Sequence, residues 1–559
     1  MSTLELQKKV PRYRSIRTTI SNLRWQLGLS TFFTDKVPFS FSTGTCFASK
    51  ISTLAHTCHG HWVELGAGTG ILSRHILDKL KQDFSEDYAN IRISVSDYSE
   101  SAVASLKNAG LFSEHPNTDF PIINAPAPHF STKEWPRVVI LSYLLDSMDC
   151  RHIEINNNTV SEIQVKTRIK TTAPIIDVSV FPPKIRNPEE IKKLFNGKDI
   201  HLQKKIAPFL LPYLKESYVK VPLNKTDMSK KEKEDLLSFA KTLPKTTLRF
   251  NYSMHFSNML KELLARDQES LIIINDFGYP LADVAPKVSA LSTTYGTVSC
   301  HSVYFPYLRH IATDCKATTF TTLNPPGNTQ MMVIYKGKRE AYIQEQCLSI
   351  FKNKEYDTMH TLAKTVFKLK KPTKNTHSHL ELQWKNIAPL YKEDYFVTMS
   401  FANVAYKNKL YSKAIECLEK ILPSYASISI PRLHLLGYCY LENGDFKNAE
   451  KAFKKALNLS LDYPVSYLNI AHLYLKKREL ESYQKAIKTY IEKADRPSFG
   501  EHMITLALLY VQTGDRETSS ALTEFICTAY TQDKSLFSES LYRKALGIQN
   551  LIAQIQPTT

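Results

Sequence analysis

Trp62-Val-Glu-Leu-Gly-Ala-Gly-Thr-Gly70 is the stretch on which the fold turns. A short apolar run suited to a buried strand enters a turn with glycine at 66, 68 and 70, and Ile71 to Leu80 then reads as a helix. Strand, glycine turn and helix in that order open an α/β sheet of the kind that gathers ligands at the carboxyl ends of its strands. The three glycines leave the backbone bare at that edge. A nicotinamide fingerprint, G-x-G-x-x-G, would need glycine at the position held by Ile71. A phosphate-cradling Walker loop would need Gly-Lys-Ser/Thr, which does not follow.

Working outward, Ile91-Arg-Ile-Ser-Val-Ser-Asp97 reads as the next strand and ends in a carboxylate 27 residues past Gly70. An acid at that strand tip can accept both hydroxyl protons of a ribose. Residues 60–150 alternate strand-like and helical runs, the βαβ pattern of a parallel sheet. Within them Val138 to Leu141 form a further strand, and Ser142-Tyr-Leu-Leu-Asp146 follows it. Strand signals return at Leu271-Ile-Ile-Ile-Asn275, with Asp276 next in line, and at Met331-Met-Val-Ile-Tyr335. Residues 155–250 read as an insertion: one strand-like run, Ile175 to Phe181, then Pro-broken basic helices. Asn324-Pro-Pro326 precedes Gly327 and reads as a turn.

These pieces resemble motifs of class I S-adenosylmethionine methyltransferases. The G-x-G-x-G turn, with Glu64 two residues before it, is similar to their first motif, and Asp97 to their second-strand acid. In their order the pieces resemble the MidA-like family, which includes a mitochondrial complex I assembly methyltransferase that modifies a protein arginine. Ser142-Tyr-Leu-Leu-Asp-Ser147 is similar to that family's Asn-Glu-Leu-Leu-Asp-Ala motif, Ile272 to Tyr279 to its Ile-run and Asp-Tyr-Gly, and Tyr295-Gly-Thr-Val-Ser-Cys-His301 to its Gly-Thr-Leu segment. The resemblance spans residues 20–340. It implies a Rossmann-like α/β domain and S-adenosyl-L-methionine as cofactor. Glu64, Gly66, Ala67, Gly68, Gly70, Asp97 and Tyr98 are the expected cofactor residues. Asp146, Tyr143 and Asp276 are the expected catalytic ones: Asp146 orients an acceptor nitrogen, Tyr143 stacks or packs, and Asp276 is a second carboxylate or a turn former. The family's Asn and Glu are Ser142 and Tyr143 here, a departure that bears on the arginine acceptor. Phe39 to Thr45 stands where the family has an early Pro-Glu segment.

Beyond residue 390 the chain changes to helix with an internal period. In the 34 residues Ile430–Tyr463, Leu436, Gly437, Tyr440, Ala449, Phe453 and Ala456 fall at positions 7, 8, 11, 20, 24 and 27, the packing positions of a tetratricopeptide repeat. Small residues at positions 8 and 20 let the two helices of a repeat approach. Position 8 recurs as Ala402, Gly437, Ala471 and Ala507, and position 20 as Ala414 and Ala449, degenerating to Tyr483 and Ser519. Ser535 to Ile552 reads as a capping helix. Such solenoids bind other proteins.

The expected division is therefore a methyltransferase domain over 1–365, a linker over 366–392 and an all-α repeat solenoid over 393–559. The 559 residues need more than one core. No apolar run approaches the ~20 residues of a membrane span. The nine cysteines are scattered with no C-x-x-C pair, which fits a reducing compartment and buried small hydrophobes. His377 and His379 lack ligand partners at metal spacing, so no metal is expected. The formal charge of +18 is uneven: Lys184 to Arg249 holds 16 Lys or Arg against 8 Asp or Glu, and Lys364 to Lys374 is a second basic run. Solvated helix faces account for most of it, with nucleic acid as the minor alternative. The basic N-terminus lacks a secretory apolar block, so a cytoplasmic location is expected, with the mitochondrial matrix as alternative. The function expected is methyl transfer to a protein that the repeats recruit; the alternative is a degenerate methyltransferase fold serving as a scaffold. The sequence leaves the oligomeric state open.

Overall fold

The structure is a computed structural model. It describes residues 3–25, 41–108, 110–131, 135–157, 159–172, 175–177, 184–196, 210–243, 247–266, 268–282, 286–295, 298–324, 328–352, 378, 382, 384–385, 393–426, 428–461, 463–493, 500–512, 514–532, 534 and 537–555. His377, His379, most of the linker, Pro325 to Gly327, Gly296 and Thr297, Phe39 and Ser40, and Val178 to Phe181 lie outside the described residues.

The first domain is built on a sheet of β1 (Gly60–Leu65), β2 (Ile91–Ser96), β3 (Thr118–Asp119), β4 (Val138–Ser142), β5 (Ser270–Tyr279), β6 (Thr318–Thr321) and β7 (Thr329–Lys336), in the order β6-β7-β5-β4-β1-β2-β3. The five strands from β5 to β3 are parallel, and β7 and β6 close the other edge antiparallel. The apolar runs of β4 and β5 occupy its middle because both sheet faces are covered there. Trp62, Val138, Ile140, Leu271 and Ile273 face a core shared with α1 (Thr45–Ala55), α2 (Ile71–Asp83) and α3 (Glu100–Asn108). Their neighbours Val63, Leu65, Val139, Leu141, Ile272 and Ile274 face the opposite core, with α4 (Met254–Leu263) and α5 (Phe305–Asp314). The two-residue period of the strands thus sends alternate side chains into two separate cores.

The insertion departs from the sequence expectation. Its main feature is a second, antiparallel sheet rather than a set of broken helices: Arg151–Asn156, Thr159–Lys170, Leu214–Pro222 and Thr247–Tyr252 pair with one another and with Thr3–Val10. Thr159–Lys170 alternates apolar and charged residues, and Val160, Ile163, Val165 and Ile169 are buried. Its Glu162 is buried against Arg151, and Glu154 of the neighbouring strand joins Lys220 and Arg249. Among the described residues of the insertion the α-helices are Pro188–Asn196 and Lys230–Lys241, the latter opened by a Ser229/Glu232 capping box.

The second domain is a run of paired helices, α6 (Tyr395–Lys407), α7 (Tyr411–Glu419), α8 (Ile430–Glu442), α9 (Phe446–Leu459), α10 (Pro464–Lys477), α11 (Leu480–Lys493), α12 (Gly500–Gln512) and α13 (Arg516–Gln532), capped by α14 (Glu539–Gln554). Ala402, Ala471, Ala507, Ala414 and Ala449 are buried where helices meet. A Cβ on Gly437 would lie 2.3 Å from Phe453 Cε1, so position 8 of that unit admits only glycine without rearrangement. Where position 20 degenerates to Ser519, the hydroxyl donates to the Ala507 carbonyl of the facing position 8 at 2.8 Å. Among the described residues no helix is long and apolar enough to cross a membrane.

Candidate functional site

The turn between β1 and α2 holds Gly66, Gly68 and Gly70 at φ of +69°, +54° and +71°, the left-handed region that L side chains resist. Space differs among them. A Cβ on Gly66 would lie 2.7 Å from Leu144 Cδ1, and one on Gly70 2.6 Å from Leu106 Cδ2, whereas nothing stands within 4 Å of one on Gly68. The outer glycines are packed from behind and the middle one faces open space. Ala67 N–H donates to the Ser96 carbonyl at 2.9 Å, which ties the turn to the end of β2.

Asp97 follows directly. Its Oδ2 accepts from Gly68 N–H at 3.4 Å and its Oδ1 from Ser99 N–H at 3.1 Å. Burial raises its carboxyl above the ordinary aspartate value. Its backbone bridges to Ile122. Tyr98 and Ile122, both 55 % exposed, therefore bring two large uncovered side chains beside one carboxylate.

At the tip of β4 the backbone is forced. Tyr143 takes φ +51°, an uncommon conformation for a bulky side chain. Its ring stacks on Phe277 at 4.9 Å and 23°, and its hydroxyl bonds to Thr329 at 3.3 Å and to Ser42. A single 3-10 turn, Leu145–Ser147, follows. Asp276 holds that turn: Oδ2 accepts from Leu145 N–H at 2.9 Å and Asp146 N–H at 3.1 Å, and Oδ1 from Phe277 N–H at 2.8 Å. Asp146, 3 % exposed, has the Cys300 thiol as its hydrogen-bond partner. Burial raises both carboxyls, and the proximity of Asp146 raises Asp276 further. Among the described residues no Lys or Arg pairs with either.

Residues 44–311 match the model of a family described as "putative S-adenosyl-L-methionine-dependent methyltransferase". Over that span the chain is similar to that family. Residues 430–463, the same 34 that carry the repeat pattern, match a tetratricopeptide repeat. Two crystal structures from Burkholderia thailandensis align with part of the chain. One is an uncharacterised protein, 11 % identical over 59 % of this chain and 87 % of its own, with a TM-score of 0.36. The other is bound to S-adenosyl-homocysteine, 12 % identical over 59 % of this chain and 88 % of its own, with the same TM-score. No curated protein matches the chain.

Within the methyltransferase domain the expected cofactor residues gather at one sheet edge, with one adjustment. Glu64 is fully buried beneath the turn, where Oε2 accepts from Ser73 Oγ. It fastens β1 to α2 rather than facing the open space. Burial pushes its carboxyl up to about 7. Asp276 engages backbone amides with both its oxygens, as a turn former does. Sequence reasoning missed Ile122, Leu144 and Cys300. Cys300 lies inside the Tyr295–His301 segment, but nothing local distinguishes it from a core cysteine.

Proposed function

We propose that the chain transfers a methyl group from S-adenosyl-L-methionine to a nitrogen on a protein, an arginine guanidinium first among candidates, and that its repeats hold that protein. The observation that carries the donor half is the open face of Gly68 beside the buried Asp97. In this reading Asp97 accepts the ribose hydroxyls, Tyr98 and Ile122 flank the adenine, and the bare backbone of Gly66 to Gly70 borders the methionine part. When bound, the donor supplies an electrophilic methyl on a sulfonium.

The chain's own task is alignment and exclusion of water, since in-line displacement needs little acid or base strength. Asp146 supports the acceptor half. A buried carboxylate without a cation is costly unless a ligand completes it. A guanidinium or ammonium group would do so, and the guanidinium can engage both oxygens. A carboxyl raised by burial can also take the proton that leaves the nitrogen. Cys300 stays protonated beside Asp146 and serves as a donor, not a nucleophile.

The test is incubation of the full chain with methyl-labelled S-adenosylmethionine and cell lysate, followed by mapping of labelled residues. The expected result is label on protein, at arginine or lysine, and its loss in Asp146→Asn with S-adenosylhomocysteine binding retained. Label appearing on RNA, or equal labelling by Asp146→Asn, would overturn the acceptor assignment.

A further inference from the structure

The repeat domain is built onto the donor side of the methyltransferase domain. Cys46 of α1 and Ile71, the first residue of α2 after Gly70, are buried in one cluster with Tyr395, Phe401 and Tyr425 of the first repeat. A polar chain runs through the same contact. The Thr43 carbonyl accepts from His75 Nδ1 at 2.8 Å and from the Tyr425 hydroxyl at 3.3 Å. A carbonyl can only accept, so Nδ1 carries the proton and Nε2 of the neutral ring accepts from Ser424 Oγ at 2.9 Å. The Tyr425 ring also lies 4.9 Å from the His75 ring. Burial lowers His75 to about 4, which keeps that tautomer through the neutral range.

The chain leads to the transfer site. Thr43 follows Ser42, a buried residue bonded to the Tyr143 hydroxyl. Tyr143 sits in a strained conformation at the tip of β4, and the next residue, Leu144, packs against Gly66. A residue at unfavourable φ keeps its place only while its surroundings hold it. Here the holding contacts are Phe277, Thr329 and Ser42, and the residue after Ser42, Thr43, is the one whose carbonyl the first repeat engages through Tyr425.

We propose that the first repeat is part of the methyl-transfer site, Ser424 and Tyr425 acting as positioning residues through His75, Thr43 and Ser42 upon Tyr143 and the glycine turn. This rests on the donor site proposed above, and its consequence is that a protein seated on the repeats and the donor in its pocket influence each other's binding.

The test uses the full chain with Ser424→Ala, Tyr425→Phe and both together, each removing one hydroxyl and little packing. S-adenosylhomocysteine is titrated by calorimetry, and amide hydrogen exchange is followed at Tyr143, whose N–H donates to the Asn275 carbonyl. The Kd is expected to rise about fivefold in each single variant and tenfold or more in the double variant, with Tyr143 exchanging about tenfold faster. Ser424→Thr, which keeps the hydroxyl, is expected to bind within twofold of wild type. Lys544→Gln, in an exposed pair with Glu501 at the far end of the solenoid, is expected to change nothing. A lower melting temperature in the double variant, with Kd and Tyr143 exchange unchanged, would make the contact merely structural and overturn the proposal. Wild-type chain that fails to bind S-adenosylhomocysteine would strike out the donor site, while faster Tyr143 exchange in the variants would still establish the link from the repeat.

Discussion

At the scale of single residues, the three glycines separate conformation from space. Gly68→Ala meets no neighbour, so its folding cost is the backbone strain alone, about 1 kcal/mol. If the open face is the donor's, the same methyl weakens S-adenosylhomocysteine binding tenfold or more, which calorimetry would measure; unchanged affinity would place the ligand elsewhere. Gly66→Ala must also displace Leu144, so its loss in urea unfolding is expected to be larger, about 2 kcal/mol or more. Glu64 makes a prediction in pH. Its carboxyl titrates near 7 when folded against 4.5 ordinarily, so ionising it opposes folding, and stability is lost as pH rises between those values. Glu64→Gln is therefore expected to exceed wild-type stability by up to about 3 kcal/mol at pH 8, with the gap falling below about 1 kcal/mol at pH 5, as read by thermal unfolding of the ligand-free chain. A gap independent of pH would contradict the buried, proton-binding Glu64. In sequence Glu64 and Asp97 are both acids near strand ends and cannot be told apart; only the helix behind the turn, presenting Ser73, decides which way Glu64 points.

Among elements, legibility followed the hydrophobic pattern. The strands β4 and β5 could be read because buried parallel strands are nearly continuous apolar runs, β1 because its short apolar run enters the glycine turn, and β2 because it alternates. The antiparallel sheet of the insertion could not, because its strands carry Lys, Arg and Glu at every second or third residue and take their partners from distant segments: Arg249 to Glu154, Lys220 to Glu154, Arg12 to Glu216. Pairing across 66 to 204 residues leaves no local signature. The repeats were legible for the opposite reason, since each unit packs on its neighbour and repeats the same small residues. Gly437 is the sharpest case. Gly437→Ala adds helix propensity but drives a methyl into Phe453, and we expect a net loss of about 1–3 kcal/mol in urea unfolding. Stabilisation instead would mean that Phe453 turns aside freely.

For the whole molecule, the two domains were legible separately and their contact was not. Nothing about Cys46, Ile71 or His75 in sequence announces a partner more than 300 residues away, since buried Cys, Ile and His are ordinary in any core. The contact predicts that residues 1–352 alone, with Cys46 and Ile71 uncovered, bind an apolar dye and melt at lower temperature than the full chain; equal melting would show the domains to be independent. The charge of +18 is partly spent inside the fold, where Arg12, Arg151 and Arg249 are paired in the second sheet. Donor binding as proposed depends on the open face of Gly68 beside Asp97. Calorimetric titration of the full chain with S-adenosylmethionine tests it most directly: one site per chain is expected, weakened at least tenfold by Asp97→Ala with the fold intact. Wild-type protein that takes up no heat of binding, or an Asp97→Ala variant that binds as well as wild type, would contradict it.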